Sequence, residues 1–138
     1  MATVLPTTTL GRTGLEVTRL GYGATEIGGP PGGRPITDDE AAHILNAVLD
    51  VGINYLDTSI DYGRSEELIG KYLSHRRSEF YLASKCGCPV GTPPPEGHVY
   101  TRANIVAGVH QSLARLQTDY LDAVQFHGAP SRELLEQE

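Results

Sequence analysis

Four polar residues fall at or just beyond the ends of three predicted strands, and their side chains are of the kinds that move protons. Asp57 and Tyr62 lie in the run NYLDTSIDYGRSEELIG, Lys85 ends FYLASK, and His127 ends LDAVQFH. In a parallel α/β sheet the carboxyl ends of successive strands lie along one edge, so residues tens of positions apart meet there. We therefore expect a carboxylate, a phenol, an ammonium and an imidazole to share one edge.

Together these four groups suit the reduction of a carbonyl, whose oxygen must gain a proton when hydride reaches its carbon. A phenol has an ordinary pKa near 10 and is a poor acid–base group at neutral pH. An ammonium about 4 Å away would lower that pKa by about 3 units before desolvation opposes it. In this hypothesis Tyr62 is the general acid, Asp57 holds Lys85 charged beside it, and His127 orients the carbonyl oxygen.

Each of these residues also has an ordinary structural interpretation when it is taken alone. Asp57 can cap the turn after its strand, Tyr62 can pack in the core, and His127 can be a satisfied strand-end histidine. Lys85 is harder to explain in this way, because an unpaired charge at the end of an apolar strand is costly and Asp57 is its natural partner. The other histidines, including His98 in a loop, are interpreted as structural or solvated.

Alternating strand and helix patterns indicate how the four residues are positioned. The pattern predicts a hairpin over residues 7–17, strands near 19–24, 53–57, 80–85 and 120–127, and helices opened by Thr37, Ser65, Thr101 and Ser131. The third helix should bury a stripe formed by Ile105, Val109, Leu113 and Leu116. Strands that alternate with helices imply a parallel sheet with right-handed crossovers.

Composition and charge are those of a single globular domain. The 138 residues are 39% hydrophobic and 20% charged. The net charge of −6, with no lysine and arginine cluster, argues against a nucleic-acid partner. No apolar run reaches the roughly 20 residues needed to span a bilayer, and the N-terminal segment lacks the pattern of a signal peptide.

Several other kinds of site are not indicated by the spacing of residues. The run GYGATE begins like a dinucleotide-binding fingerprint but lacks its third glycine, and no P-loop motif is present. Histidine, cysteine and aspartate show no tight spacing typical of a metal site, so none is predicted. Cys86 and Cys88 are too close in sequence for an ordinary disulfide and are interpreted as reduced thiols, which favours a cytoplasmic setting.

These segments resemble the aldo-keto reductases from about residue 8 to the end of the sequence. The resemblance is carried by TLGRTGLEVTRLGYGA, by DVGINYLDTSIDYGRSEELIG, and by LASK and LDAVQFHGAP at the appropriate spacing. Within the family, the sequence is most similar to bacterial aldose dehydrogenases and general oxidoreductases. The fold so implied is α/β: half of a TIM barrel, with about four parallel βα units after an N-terminal β-hairpin, forming one truncated domain over residues 1–138.

The resemblance also implies a cofactor and roles for particular residues. The family reduces aldehydes and ketones, or oxidises alcohols, with NADP(H), and NAD is the alternative. Its catalytic tetrad corresponds to Asp57, Tyr62, Lys85 and His127. By the same resemblance Gly23, Ala24 and Thr25 would line the nicotinamide together with Asp57, and Cys86 would lie beside the substrate.

A complete barrel of this type needs about 250 residues, more than this sequence provides. Four parallel strands without the other four would leave two bare edges and an apolar face. Three explanations are open: a piece of a longer polypeptide, two copies that pair edge to edge, or an open sheet with a different cover. An alternative to the reductase is therefore a catalytically silent half-barrel that acts as an oligomeric assembly or binding module.

Overall fold

The computed structural model describes residues 4–91 and 97–136. A hairpin is followed by strands that alternate with helices. The elements in chain order are β1 (Thr7–Thr9), β2 (Glu16–Thr18), β3 (Tyr22–Gly23), α1 (Asp38–Asp50), β4 (Tyr55–Asp57), α2 (Ser65–Leu73), β5 (Tyr81–Cys86), α3 (Arg102–Leu116), β6 (Ala123–Phe126) and α4 (Arg132–Leu135). Short 3₁₀ segments occupy Glu26–Gly28 and Ser74–Glu79. The proline-rich run at 93–95 lies outside the described residues.

The four central strands form one parallel sheet in the order β3-β4-β5-β6, and β1 pairs with β2 in a separate antiparallel ribbon. This architecture confirms the predicted parallel α/β unit and its hairpin. Gly14 has a φ of 78° in the hairpin turn, which is the left-handed conformation that favours glycine. Each central strand follows its neighbour in sequence, so the ends of successive strands lie side by side.

The strands are shorter than the sequence patterns suggest. The last one was expected over residues 120–127 but pairs with its neighbour only over Ala123–Phe126. Asp122, just before it, accepts hydrogen bonds from Arg77 at 2.6 Å and from the Leu82 N–H at 2.8 Å. The Leu82 N–H thus bonds a side chain instead of a backbone carbonyl, and the regular pairing of β5 with β6 begins at Ala123.

Helix α1 begins and packs as its sequence predicts. Thr37 Oγ1 accepts a hydrogen bond from the Glu40 N–H at 3.2 Å, and Gly52 follows the helix with a φ of 91°. Its apolar stripe joins α2 and the strands in the core, which contains Ala41, Leu45, Val48, Leu49, Leu56, Leu68, Ile69, Leu73 and Leu82. This layer of helices supports one face of the sheet.

The predicted cap of α2 was wrong. The helix is preceded by Arg64 with no side-chain cap, and Ser65 is its first residue. The Ser65 hydroxyl instead bonds the Thr58 hydroxyl at 2.8 Å in a fully buried position. The helix is therefore joined at its first turn to the loop after β4, which carries Tyr62.

The buried face of helix α3 is only partly the one predicted. The residues that it buries are Gly108, Ser112 and Leu116, while Ile105, Val109 and Leu113 are only half-buried. Small residues allow the close approach: a Cβ on Gly70 of α2 would lie 2.2 Å from the Arg115 carbonyl oxygen. The prediction is therefore confirmed for Leu116 and wrong for the other three residues, because backbone proximity, rather than the bulk of aliphatic side chains, decides how α2 and α3 pack.

Two apolar side chains of the edge strand β6 remain substantially exposed. Val124 is 45% and Phe126 is 44% accessible to solvent, and Leu134 and Leu135 of α4 are exposed nearby. Among the described residues, no helix combines the length and the apolar character that crossing a membrane requires.

Candidate active site

Asp57 and Lys85 form an ion pair on one face of the sheet. Asp57 is in register with Ala83, and Lys85 is in register with Gln125. Since strand side chains alternate with a period of two, all of them project to the same face. Lys85 Nζ donates to Asp57 Oδ2 at 2.6 Å and to the Thr58 carbonyl at 2.9 Å. The predicted pairing of the two residues is confirmed.

Burial and charge act in opposite directions on this lysine. The Lys85 side chain is 12% exposed and the Asp57 side chain is 29% exposed. Burial, the largest influence, lowers the pKa of the Lys85 ammonium, but its interactions with Asp57 and Tyr62 outweigh burial and raise that pKa above its ordinary value of 10.5. The lysine is therefore a fixed positive charge at neutral pH. Gln125 donates to the other oxygen, Asp57 Oδ1, at 2.8 Å and so fixes the carboxylate.

Tyr62 is positioned by a tight contact between two loops. A Cβ on Gly28 would lie 1.8 Å from the Tyr62 carbonyl oxygen, and a Cβ on Gly63 would lie 2.2 Å from the Gly28 carbonyl oxygen. The Arg64 N–H donates to that same Gly28 oxygen at 3.0 Å. Only glycine fits at these two positions, so the backbone that carries the phenol is held against the loop after β3.

The phenol ring lies close to both the lysine and the histidine. Lys85 Nζ is 4.7 Å from the centroid of the Tyr62 ring. The Tyr62 and His127 rings meet edge to face with centroids 5.8 Å apart. The structure thus brings together all four residues that the sequence placed at this edge, although they come from three separate βα segments.

His127 is held by its backbone and contacted through one ring nitrogen. Its N–H donates to the Cys86 carbonyl at 2.8 Å, and its own carbonyl accepts a hydrogen bond from the Tyr100 hydroxyl. Nδ1 lies 3.1 Å from Ser59 Oγ, 3.2 Å from Cys88 Sγ and 3.2 Å from an oxygen of Asp61. The imidazole is therefore oriented by polar groups of two loops.

Comparison with known proteins places the chain in a family. A model of the Aldo/keto reductase family matches residues 19–133. The chain belongs to the aldo-keto reductase family. The solved relatives are TIM barrels, and the hairpin with its four parallel strands corresponds to part of that barrel.

Three similar aldo-keto reductase relatives illustrate the extent of the match. L-galactose dehydrogenase of Arabidopsis thaliana is 36% identical over 86% of this chain and 36% of its own length. The holo form of aldo-keto reductase AKR11C1 from Bacillus halodurans has a TM-score of 0.79 at 35% identity, over 91% of this chain and 41% of its own. An aldo/keto reductase from Klebsiella pneumoniae in complex with NADP and acetate has a TM-score of 0.64 at 25% identity, over 83% and 36%. The chain spans less than half of the length of each.

The residues expected to line an aldo-keto reductase cofactor fall at different depths. Gly23 is exposed in β3 and in register with Asp57, and Thr25 is half-buried. Ala24 is completely buried in the core, so only its backbone is available at this edge; its N–H donates to the Asp57 carbonyl at 2.8 Å. The role of these three residues in cofactor binding stays a prediction.

The two cysteines differ in what they contact. Cys86 is buried, and strand alternation directs its side chain to the face opposite Lys85. Cys88, two residues further on, is the thiol that lies against His127. Burial raises the pKa of the Cys88 thiol, which favours the S–H form. Among the described residues, the thiol that contacts His127 is therefore Cys88. The position of Cys86 beside the substrate, which the resemblance implies, stays a prediction.

Some residues of the site were missed in the sequence, and their signals differ. Gln125 could have been found, because it precedes His127 by two positions on a strand and so faces the same side. His98 was interpreted as structural or solvated, yet its ring centroid is 5.1 Å from that of His127. Nothing in its spacing along the chain indicates this contact, which depends on how the loop after β5 folds back.

Glu66 lies in the first turn of α2, where a carboxylate is favourable to the helix dipole. It is 1% exposed, and its Oε1 accepts a hydrogen bond from Ser84 at 2.7 Å. Arg115 Nη1 is 3.6 Å from its other oxygen and also donates to the Ile60 carbonyl at 3.1 Å. This buried carboxylate therefore joins α2, β5 and α3 behind the loop that carries Tyr62.

Proposed function

We propose that the chain carries the proton-transfer residues of an aldo-keto reductase that reduces aldehydes or ketones, or oxidises the corresponding alcohols, with NADP(H). The observation that supports this most strongly is the position of Lys85 Nζ, 2.6 Å from Asp57 and 4.7 Å from the Tyr62 ring, whose centroid is 5.8 Å from that of His127. NAD is the alternative cofactor. The dehydrogenase and reductase names of the relatives support the reaction class.

The described residues fit the nicotinamide end of such a cofactor. A Cβ on Gly23 would meet no atom within 4 Å, so the space beside Asp57 is open to a flat ring. Arg34 and Arg64, in the loops after β3 and β4, are already paired with Glu40 and Asp38. We therefore assign the nicotinamide side to Gly23, Ala24, Thr25 and Asp57, and we assign no residue of this chain to a 2′-phosphate.

The cofactor, when bound, supplies hydride to the carbonyl carbon. Tyr62 gives its hydroxyl proton to the carbonyl oxygen, and the resulting phenolate regains a proton from solvent. Lys85 favours that phenolate because its positive charge lies close to the ring. Asp57, the Thr58 carbonyl and Gln125 keep the lysine charged and in place, and His127 donates a hydrogen bond that orients the carbonyl oxygen.

The test is the oxidation of NADPH by the full chain in the presence of a panel of aldehydes and ketones, measured as the decrease in NADPH absorbance. Tyr62→Phe should abolish turnover while leaving NADPH binding, measured by its own fluorescence or by calorimetry, unchanged. Tyr81→Phe is the matched control, because this tyrosine lies at the start of β5, away from the site. Turnover that survives Tyr62→Phe would refute the assignment of the general acid.

Self-association is the second property that we propose, and the exposed apolar residues of β6 support it. Pairing of two copies would cover Val124 and Phe126, and a symmetric dimer is the commonest closed arrangement. The native mass of the pure chain tests this: a dimer agrees with it, and a monomer contradicts it. A dimer that binds no NADPH would identify the silent assembly module instead. We also propose a reducing, cytoplasmic setting, supported by the free cysteines Cys86 and Cys88.

A further inference from the structure

Four potential metal ligands converge beside the proposed active site. They are Asp61 from the loop after β4, Cys88 and His98 from the loop after β5, and His127 at the end of β6. The ligating atoms of all four lie within 4.8 Å of one another. The sequence predicted no metal site, but that expectation rested on spacing along the chain, and these ligands come from three loops.

The separations are close to those of tetrahedral coordination. With bonds of about 2.0 Å to nitrogen or oxygen and 2.3 Å to sulfur, ligand atoms around zinc stand about 3.3–3.6 Å apart. His127 Nδ1 is 3.2 Å from Cys88 Sγ and 3.2 Å from Asp61 Oδ1. Two of the ligand–ligand distances thus already match those of a tetrahedral site. The ligand atom of His98 lies within 4.8 Å of the other three and has only to move closer to complete the coordination.

The chemistry and burial of the four groups suit a borderline-soft divalent cation. Two imidazoles, one thiolate and one carboxylate are all ligands of zinc, whereas hard cations such as magnesium prefer oxygen alone. Cys88 is 1% exposed, His127 is half-buried, and Asp61 and His98 are exposed. The site therefore has a closed inner side and an open outer side through which an ion can enter.

Two further residues position the ligands. Ser59 donates to Asp61 Oδ1 at 2.6 Å, which orients that carboxylate. Asn104 binds the carbonyls of Cys88 at 2.9 Å and Val99 at 2.8 Å with its Nδ2, so it ties the segments that carry Cys88 and His98 to helix α3. The two described parts of the loop after β5, before residue 92 and after residue 96, are therefore both anchored to α3.

We propose that Asp61, Cys88, His98 and His127 form a binding site for one zinc-class divalent cation. Binding converts the Cys88 thiol to a thiolate, with its proton passing to the buffer, and places the metal on His127 Nδ1. In the proposed reductase the same imidazole orients the carbonyl oxygen. A bound ion would therefore determine whether His127 is available for that hydrogen bond. This last consequence rests on the proposed reductase function, but metal binding itself does not.

Cobalt(II) is the probe, because its absorption reports both geometry and ligand type. The full chain, purified with chelator and kept reduced, should bind one Co²⁺ with the intense visible bands of a tetrahedral site and a thiolate charge-transfer band. Zn²⁺ should then displace it. Absence of one-to-one binding, or spectra of octahedral cobalt without thiolate, would overturn the proposal whatever the catalytic activity of the chain.

Matched variants separate this site from adventitious binding. His98→Ala should weaken binding by more than about tenfold, since loss of even an outer-shell partner costs that much. This histidine is exposed, so the variant should keep its fold; His110→Ala, an exposed histidine on α3, should change nothing. Cys88→Ser should remove the charge-transfer band, and Cys86→Ser should retain it. A charge-transfer band that follows Cys86, or binding that follows His110, would contradict the assignment.

Discussion

Replacing Asp57 by asparagine should reverse the direction in which the pKa of Lys85 is displaced. In the native chain the carboxylate 2.6 Å from Nζ and the neighbouring Tyr62 outweigh burial, so that pKa stands above 10.5. Asparagine keeps the shape and an acceptor oxygen but removes the charge. Burial, already the largest single influence on Lys85, would then prevail and lower its pKa below 10.5.

The magnitude follows from the geometry of the pair. Two unit charges 2.6 Å apart attract by about 6 kcal/mol at an effective dielectric near 20. Part of this is retained through the remaining hydrogen bonds to asparagine and to the Thr58 carbonyl. Removing one opposite charge commonly moves a pKa by about 1–3 units, which corresponds to about 1.4–4 kcal/mol. We expect Asp57→Asn to lower the pKa of Lys85 by an amount in that range.

The chain is well suited to this measurement because it contains only two lysines, Lys71 and Lys85. Lysine labelled with a carbon isotope at Cε gives two NMR signals, and Lys71→Arg assigns them. Titration of the native chain should show Lys85 losing its proton above pH 10.5. In Asp57→Asn the midpoint should fall below that value, while the midpoint of Lys71 stays unchanged.

The pH dependence of the unfolding free energy should follow the direction of the Lys85 pKa shift. A raised pKa means that Lys85 stabilises the native chain fully below pH 10.5 and ceases to do so as the pH rises through the higher folded value. With the lowered pKa of Asp57→Asn, stability should instead increase as the pH rises toward 10.5. An unchanged Lys85 midpoint in Asp57→Asn, or an equal effect of Asp38→Asn on Lys85, would refute the ion-pair argument.

Three further predictions concern the supports of the site and of the sheet. Gly28→Ala would place a Cβ 1.8 Å from the Tyr62 carbonyl oxygen, so we expect a loss of about 1–3 kcal/mol in urea unfolding and slower NADPH oxidation. Asp122→Ala leaves Arg77 without its partner in a pair whose side chains are 14% and 11% exposed, and should cost about 3–5 kcal/mol in the same unfolding assay. Hydrogen bonds from Lys71 and then Arg64 hold the pKa of Asp38 at about 2 instead of 3.8. Its stabilising effect should therefore be complete above about pH 4 and disappear toward pH 2, and acid unfolding of Asp38→Asn should lack that part of the pH dependence.

Each of these three changes has a control in the same chain. Gly23→Ala adds a methyl group where no atom lies within 4 Å and should leave stability nearly unchanged. Asp119→Ala is the control for Asp122→Ala, and Asp39→Asn is the control for Asp38→Asn. Each removes an exposed carboxylate close to the tested one in sequence. Equal losses of stability in a control and its test variant would show that the close contact, the ion pair or the helix-bridging carboxylate is not the cause.

Much of the candidate site could be predicted from the order of the elements. Asp57, Lys85 and His127 each follow an apolar strand, and parallel strands joined by helices must present such ends along one edge. Tyr62 follows Asp57 by five positions, so its proximity was also expected. The distances were not predictable, because they depend on the contact between Gly28 and Gly63 that holds the Tyr62 loop.

Prediction missed two kinds of contact: those between distant loops, and those in which small side chains let two backbones come close. His98 approaches His127 only after the loop beyond β5 has folded back and been tied by Asn104. The buried face of α3 was only partly predicted, because the small residues Gly108 and Ser112 are buried beside Leu116 and because Gly70 of α2 lies directly against the α3 backbone at Arg115. A hydrophobic pattern records which residues avoid water, and it carries no information on how near two backbones can come.

By itself, then, the amino-acid sequence determined the alternation of strands and helices, the parallel sheet and the residue types along its edge, because hydrophobic period, caps and glycines act locally. The tertiary structure was needed to show that Cys88 rather than Cys86 contacts His127, and that Asp61 and His98 join these two residues in a group of potential metal ligands. These contacts join residues tens of positions apart, and no local preference of the chain specifies them.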